Sequence, residues 1–290
     1  MNKKIILTFI TIILLIVISL AGALSLDFTK SFDAFNQYGE TIKMYGSGIY
    51  ARDSYFKAPI SIGTDFAVLL ILVPAFVITL IKKLKNRDSV SDLNMLALYA
   101  VAFYYSASVS FGITYNIFHL IYIALFGCSL FGIFLFASEI KKDELNFSVT
   151  KGIKAFLILT GAALIIAWLP DIIQSLIEGE PLAHIDVYTT EVTYILDMGI
   201  VGPLCFICLS LLVKNDKLGV VIFAALLKLY IFVGFMIISQ TIFQTLSGYE
   251  LTVPEIATKS ITFVLLGGFA LYFDSKLHKG LKTALIEMKA

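Results

Sequence analysis

The sequence has few of the residues on which disulfide-rich proteins and metalloenzymes depend. It contains three cysteines, three histidines and one tryptophan in 290 residues. The cysteines, Cys128, Cys205 and Cys208, all lie in apolar stretches, so no disulfide framework is indicated. The Cys205-x-x-Cys208 spacing resembles a redox or metal-binding motif, but the surrounding apolar stretch offers no polar partner and therefore favours packing. No two histidines have metal-ligand spacing, so no metal site is predicted.

Charge and nucleotide-binding motifs are also scarce. Only 15% of the residues are charged, where a soluble domain has about a quarter. No phosphate-binding loop, dinucleotide fingerprint or haem motif is present, and no cofactor is predicted. Most of the basic residues lie in links between apolar stretches. They are therefore interpreted as signals of membrane topology, and nucleic-acid binding is not predicted.

Long uncharged runs dominate the chain, which is 59% hydrophobic. About 20 apolar residues are needed for a helix to cross the hydrocarbon of a bilayer. The sequence predicts an all-α, polytopic helix bundle that forms one membrane domain over 1–290, with the lipid bilayer as its main partner. The eight predicted spans are 5–24, 64–81, 94–115, 117–138, 153–170, 190–213, 218–239 and 254–273.

The links between the spans alternate in charge. Lysine-rich segments precede the first span and follow the second, fourth, sixth and eighth spans, whereas the remaining links are acidic. Basic links stay in the cytoplasm. We therefore expect both termini in the cytoplasm and the acidic links outside. The heavy use of lysine over arginine, with much isoleucine, suggests a bacterial source, so the expected location is the bacterial plasma membrane.

The first apolar stretch has a second interpretation. Lys3, Lys4 and the small residues Ala21-Gly22-Ala23 also fit a cleaved secretory signal. The stretch is long for a signal core, which favours an uncleaved span. Cleavage would leave seven spans.

The longest outer link is predicted to contain an interfacial helix at about 27–45. Phe28, Phe32, Phe35 and Tyr38 recur there at helical spacing beside polar residues. Such a helix either caps the bundle or forms a lid over a site.

A four-plus-four repeat is one interpretation of the spans. Pro74 lies within the second span and Pro203 within the sixth, and each of these spans opens with a threonine–acid pair, Thr64-Asp65 or Thr190-Glu191. Repeats of this kind are common in transporters.

The sixth span carries the richest polar segment. Glu191, Tyr194 and Asp197 are spaced by three residues, which places Asp197 about 9 Å deeper than Glu191. A carboxylate at that depth must be protonated, paired or in contact with water. Gly199 and Pro203 follow and predict a broken or kinked helix. The alternative is a structural ion pair with close glycine packing.

Lys228 is the one basic residue predicted deep in a span. An unpaired ammonium group is implausible there, and Asp197 is the carboxylate expected at similar depth. We predict that the two pair or share water; an uncharged lysine is the alternative.

Further polar groups surround the outer ends of these spans. With Asp197, Glu191 and Tyr194, they are expected to line a cup that opens outside and takes a small cationic or polyhydroxylated ligand. The alternative is an aromatic belt with solvated acids. The cup residues outside the sixth span are Asp53, Asp65, Tyr104, Asp171 and Tyr188.

Three segments carry a resemblance to a known family. They are Asp53-Ser54-x-Phe56 with Gly63-Thr64-Asp65 and Pro74, Tyr115-Asn116 with the run that follows, and Tyr188-Thr-Thr with Leu196-Asp197-x-Gly199 and Pro203. The chain resembles, over nearly its whole length, a family of eight-span bacterial membrane proteins without an assigned activity. The resemblance implies only that these outer polar positions belong together.

Three functions remain open. The leading hypothesis is binding and translocation of a small solute or lipid headgroup. The second is a non-transporting receptor or accessory subunit, and the third is an intramembrane enzyme acting on lipid. A transporter needs a second, inward-facing cavity, and an enzyme needs two titratable groups within hydrogen-bond reach. The sequence does not predict an oligomeric state.

Overall fold

A computed structural model describes residues 3–85, 88–140, 145, 147–249 and 260–287, with side chains up to residue 283. Helices make up most of the described chain, which confirms the all-α prediction apart from one small hairpin. The helices of the first half are α1 (Lys3–Ala23), α2 (Lys57–Ala67), α3 (Val73–Lys85), α4 (Ser89–Phe111) and α5 (His119–Ala137). Those of the second half are α6 (Lys151–Ile166), α7 (Leu169–Glu178), α8 (Val192–Leu196), α9 (Gly202–Val213), α10 (Lys217–Leu246) and α11 (Thr262–Glu287).

Seven helical segments of the described chain are long and apolar enough to cross a membrane. These segments agree with the first seven predicted spans. Three of the segments each combine two helices: α2 with α3, α6 with α7, and α8 with α9. The eighth predicted span, 254–273, begins outside the described residues. The part of it that is described opens α11, which then continues to Glu287.

The two spans that contain an internal proline share a local distortion. A π-helical turn at Val68–Leu72 precedes Pro74, and another at Asp197–Val201 precedes Pro203. Proline has no N–H group and clashes with the carbonyl group four residues earlier. A π-helical turn absorbs this conflict, because its hydrogen bonds skip one further residue. The predicted break at Gly199 and Pro203 is therefore a π-helical turn within a continuous helix.

The predicted interfacial helix at 27–45 is wrong. This segment forms an antiparallel hairpin of β1 (Phe32–Phe35) and β2 (Thr41–Met44). The Asn36 side chain accepts hydrogen bonds from the backbone N–H groups of Tyr38 and Glu40, and Gly39 has a φ of 83°. These turn contacts reverse the chain, so Phe32 and Phe35 lie on β1 and Tyr38 lies in the turn.

The links gather at two ends of the bundle. At the hairpin end, Asn36 and Gln37 donate hydrogen bonds to the carbonyl oxygens of Asp186 and Tyr188, each at 3.0 Å. At the opposite, lysine end, the start of α1 meets the start of α4. Lys4 is buried there and pairs with Asp92 at 3.2 Å and Glu139 at 2.7 Å.

The core lies along α4 and α10. The latter packs against α2, α4, α9 and α11. The first helix also belongs to the core, since Leu15 and Ile18 are fully buried. Cys205 and Cys208 are buried free thiols, as packing residues would be, but the expected lack of a polar partner is wrong: the Cys205 sulfur lies 3.0 Å from the Tyr230 hydroxyl.

Candidate functional site

A cavity of about 480 Å³ lies at the hairpin end of the bundle. This volume is within the range of small-ligand sites. Its walls come from α2, α4, α8 and α10, with Trp168 and Phe263 contributing from neighbouring helices. The polar or ionisable side chains in the wall are Lys57, Ser61, Thr64, Tyr104, Tyr105, Ser108, Trp168, Asp171, His184, Glu191, Thr193, Tyr194, Asp197, Gln240, Thr241, Gln244 and Ser260.

Asp197 is the most deeply placed carboxylate of the cavity wall. Its side chain is almost fully buried in the protein, and it begins the π-helical turn of the sixth span. The Tyr104 hydroxyl donates a hydrogen bond to one carboxylate oxygen at 2.9 Å, and the Trp168 indole N–H donates to the other at 3.0 Å. Both donors are neutral, and Asp197 has no ion-pair partner among the described residues. The carboxylate is thus oriented by hydrogen bonds without being neutralised by them.

An aromatic wall stands beside Asp197. The rings of Trp168 and Tyr194 stack with centroids 4.6 Å apart, and Phe263 lies 6.3 Å from Trp168. The Tyr194 hydroxyl donates to Asp171 at 2.7 Å, which holds this second carboxylate at the cavity wall. Aromatic faces next to carboxylates are a favourable environment for organic cations.

Glu191 lies in the wall but is neutralised. Lys57, the first residue of α2, forms an ion pair with it, and the Lys57 ammonium group also lies 4.1 Å from the centre of the Tyr188 ring. Among the described lining residues, three carboxylates therefore face one lysine. The cavity is negatively charged overall when all three carboxylates are ionised.

Two of the predicted site carboxylates do not line this cavity. Asp65 is fully buried, and both of its oxygens accept hydrogen bonds from tyrosines, one from Tyr50 at 2.5 Å and the other from Tyr105. A Cβ atom on Gly22 of α1 would lie 1.6 Å from an Asp65 oxygen, so glycine is required at that contact. The expectation that Asp65 faces the cup is therefore wrong, because α1 and α4 close around it.

Asp53 is also enclosed. It accepts hydrogen bonds from the Thr114 backbone N–H at 2.9 Å, the Thr114 hydroxyl at 3.0 Å and the Tyr188 hydroxyl at 2.8 Å. Asp53 and Tyr188 thus tie the link before α2 to two other links at the hairpin end. Neither residue lines the cavity, so the prediction that they bind ligand directly is wrong.

Neighbouring tyrosines on α4 connect the two intramembrane aspartates. Tyr104 donates to Asp197, and Tyr105 donates to Asp65. Asp65 lies three residues before the π-helical turn of its span. Asp197 is the first residue of the π-helical turn in the other span. The same arrangement of aspartate, π-helical turn and proline therefore occurs twice around α4.

The predicted pairing of Lys228 with Asp197 is wrong. Lys228 pairs instead with Asp274 of α11 at 2.5 Å, toward the lysine end. Asp274 also lies 3.4 Å from His278. The prediction failed because depth in the membrane was inferred from the sequence, whereas the choice of partner depends on which helices are neighbours.

The sequence analysis missed the contribution of α10 to the cavity. Gln240 donates a hydrogen bond to the Thr64 hydroxyl at 2.8 Å, and Thr241 and Gln244 continue the same polar face. His184 was also missed as a wall residue; its ring stacks on Phe56 with centroids 4.2 Å apart. The sequence did contain a signal for a polar face on α10, because Gln240 and Gln244 lie one helical turn apart on the same side of the helix.

A second cavity, of about 540 Å³, lies at the lysine end between α3, α4, α10 and α11. It shares α4, α10 and α11 with the first. On α10, Phe232 lines the second cavity and Val233 the first, and on α4 the nearest wall residues are Leu98 and Tyr104. Six residues of helix span about 9 Å, so a thin layer separates the cavities.

The enclosure of Asp53 makes stability depend on pH. Burial raises the pKa of Asp53 from 3.8 to about 6, and the hydrogen bonds from Thr114 and Tyr188 counteract this only in part. Between about pH 4 and pH 6 the folded protein then holds a proton that the unfolded chain has released, so stability falls as pH rises through this window. The unfolding free energy of the wild-type protein should fall by roughly 2–3 kcal/mol over that window. Asp53→Asn has no carboxyl group to titrate at this position, so this fall should be absent in the variant.

The measurement is the unfolding free energy of the detergent-solubilised protein at several pH values. The exposed strand residue Asp33 provides the matched control, Asp33→Asn. Parallel pH profiles for wild type and Asp53→Asn would contradict the assignment.

Comparison of the chain with protein-family models, curated proteins and solved structures found no match.

Proposed function

We propose that the chain is a multi-pass protein of the bacterial plasma membrane that binds a small organic cation in the hairpin-end cavity and moves it across the bilayer. The observation that carries the proposal is Asp197: a carboxylate on the cavity wall, held by two neutral donors and without an ion-pair partner among the described residues. A bound cation would compensate the cost of a charge at this depth.

The remaining wall narrows the ligand class. Trp168 and Tyr194 offer aromatic surface for an alkylated ammonium group. Gln240, Thr241 and Gln244 offer amide and hydroxyl groups for a polar tail. An amino alcohol, with a cation at one end and a hydroxyl group at the other, matches both parts of the wall.

The orientation is part of the proposal. Lysine-rich links on one side and acidic links on the other support a cytoplasmic location for both termini. The hairpin end then faces outside and the lysine end faces the cytoplasm. An eighth crossing that includes α11, added to the seven apolar segments, would give the even number of spans that this orientation requires. The resemblance to an eight-span bacterial family stays a prediction.

Movement across the bilayer is supported by the second cavity. The two cavities lie along the same contact between α4 and α10, and the layer that separates them is thin. In alternating access one binding site opens to each side of the membrane in turn, and the thin layer between the two cavities is where an inner opening of the cation site would form. The barrier also favours the second candidate, a receptor that binds the same cation without releasing it on the other side.

The test uses choline and its neutral isostere, 3,3-dimethylbutan-1-ol. We expect choline to raise the unfolding midpoint of the purified protein in a saturable way, and the isostere to have little effect, because only charge distinguishes them. Proteoliposomes should then accumulate labelled choline down its gradient. Binding without flux would identify a receptor, and equal shifts by both compounds would contradict the cation site.

A further inference from the structure

The cavity at the lysine end has a charge opposite to that of the first cavity. Its described ionisable residues are three lysines, two aspartates and one histidine: Lys82, Asp88, Lys228, Asp274, His278 and Lys282. They come from α3, the start of α4, α10 and α11. The positive side chains therefore approach one space from three different helices.

Both carboxylates of this cavity already have structural partners. Asp88 caps α4 by accepting a hydrogen bond from the Ser91 backbone N–H at 2.8 Å. Asp274 accepts a hydrogen bond from the Lys228 ammonium group at 2.5 Å. Asp88 keeps its charge in this contact, so the three lysines exceed the two carboxylates by one positive charge.

Lys82 and Lys282 are the cations that remain. Both side chains are exposed, both line the cavity, and neither has an ion-pair partner among the described residues. They lie on different helices, so an anion between them would satisfy two charges that the fold otherwise leaves to solvent.

The neighbouring polar groups hold the cavity wall in place. The His278 ring joins α11 to α4, with one nitrogen 2.8 Å from the Asp274 carbonyl oxygen and the other 2.7 Å from the Asn94 side-chain oxygen. The Asn94 amide nitrogen donates to the Val90 carbonyl oxygen at 3.1 Å, which orients that side chain. The positive cavity therefore has a fixed wall between α4 and α11.

We propose that the lysine-end cavity binds a phosphate group, carried either by a soluble anion or by the headgroup of an anionic lipid. Two ammonium groups without partners, and a third held by Asp274, provide charge-assisted donors for its oxygens. The inference does not rest on cation binding or transport, because it concerns a different cavity and a ligand of opposite charge.

The experiment compares the double variant Lys82→Gln/Lys282→Gln with the wild-type protein. Its matched control is Lys151→Gln/Lys154→Gln, which removes two exposed lysines of α6 that do not line the cavity. In the first arm, inorganic phosphate is titrated at constant ionic strength against protein in phosphatidylcholine nanodiscs. We expect a saturable rise in the unfolding midpoint, with an apparent Kd at least about tenfold weaker in the double variant and unchanged in the control.

In the second arm, native mass spectrometry measures the phosphatidylglycerol that remains bound after purification from mixed-lipid nanodiscs. Phosphate binding that depends on Lys82 and Lys282 identifies a soluble anion as the ligand. Lipid retention with the same dependence, without a phosphate response, identifies the headgroup. The proposal is overturned if wild type responds to neither probe, or if the double variant and its control lose binding equally.

Discussion

Replacing Gly63 by leucine is expected to lower strongly the yield of folded protein. A Cβ atom at this position would lie 2.6 Å from the Cα atom of Gln240 and 2.7 Å from its backbone nitrogen. Because these are backbone atoms of α10, no side-chain rotation relieves the clash, and α2 must move away from α10. Overpacked cores lose about 1–3 kcal/mol when side chains can adjust, so we expect about 3 kcal/mol or more here.

The change would also damage the cavity. Gly63 precedes Thr64, which accepts the hydrogen bond from Gln240, so separating the two helices opens one wall of the site. The measurement is the yield and unfolding midpoint of monodisperse protein after detergent extraction. Gly127→Leu on α5 is the matched control, because nothing lies within 4 Å of a Cβ atom there. Equal yields for the two variants would contradict the close packing of α2 on α10.

The sequence was sufficient for the large features of the fold. Runs without charge determine spans almost alone, since a helix is the one open structure that satisfies its backbone in lipid. Pro74 and Pro203 marked the distorted spans correctly, although not the form of the distortion. Asp197 was recognisable because a carboxylate six residues beyond Glu191 in an apolar helix, about 9 Å deeper, requires a polar environment.

The contacts between helices could not be predicted in the same way. Asp65 and Asp197 look alike in the sequence, yet Asp65 is enclosed by Tyr50, Tyr105 and Gly22, whereas Asp197 reaches the cavity. Which aspartate is enclosed depends on where α1 packs, and no local pattern specifies that. The pairing of Lys228 with Asp274 is a second case, because it depends on α10 and α11 being neighbours.

The hairpin was missed for a local reason. Aromatic residues at 28, 32, 35 and 38 fit a helical period, but Asn36 and Gly39 form the turn that reverses the chain. The turn residues were a stronger signal than the aromatic spacing. An asparagine side chain that accepts hydrogen bonds from two backbone N–H groups competes directly with helix formation.

Neutralising Asp197 is expected to reduce strongly the preference of the cavity for cations, with Asp171 as the described wall carboxylate that remains outside the ion pair of Lys57. Asparagine keeps the shape of the side chain and can still accept the hydrogen bond from Tyr104 or Trp168. The fold should therefore persist while the charge is lost. Glu191 is already paired with Lys57, so Asp197 supplies a large share of the negative potential inside the cavity. Removing it should change the relative rates at which cations and anions enter by about tenfold.

Ser108 offers a reporter for this potential. It lies in the cavity wall on α4, half-buried, and its hydroxyl donates to the Tyr104 carbonyl oxygen at 3.0 Å. Ser108→Cys is a small change, and the native thiols Cys128, Cys205 and Cys208 can be replaced by serine or alanine to leave a single reactive cysteine. Asp216→Asn, at the exposed cap of α10, is the control for loss of a carboxylate elsewhere.

The most direct measurement is the rate at which this single cysteine reacts, in intact cells, with a trimethylammonium and with a sulfonate methanethiosulfonate reagent added outside. We expect both reagents to reach the cysteine and the cationic one to react faster, and we expect Asp197→Asn, but not Asp216→Asn, to reduce the ratio of the two rates by about tenfold. Failure of either reagent to react from outside, or an unchanged ratio of rates in Asp197→Asn, would contradict an externally open cavity whose charge comes from Asp197.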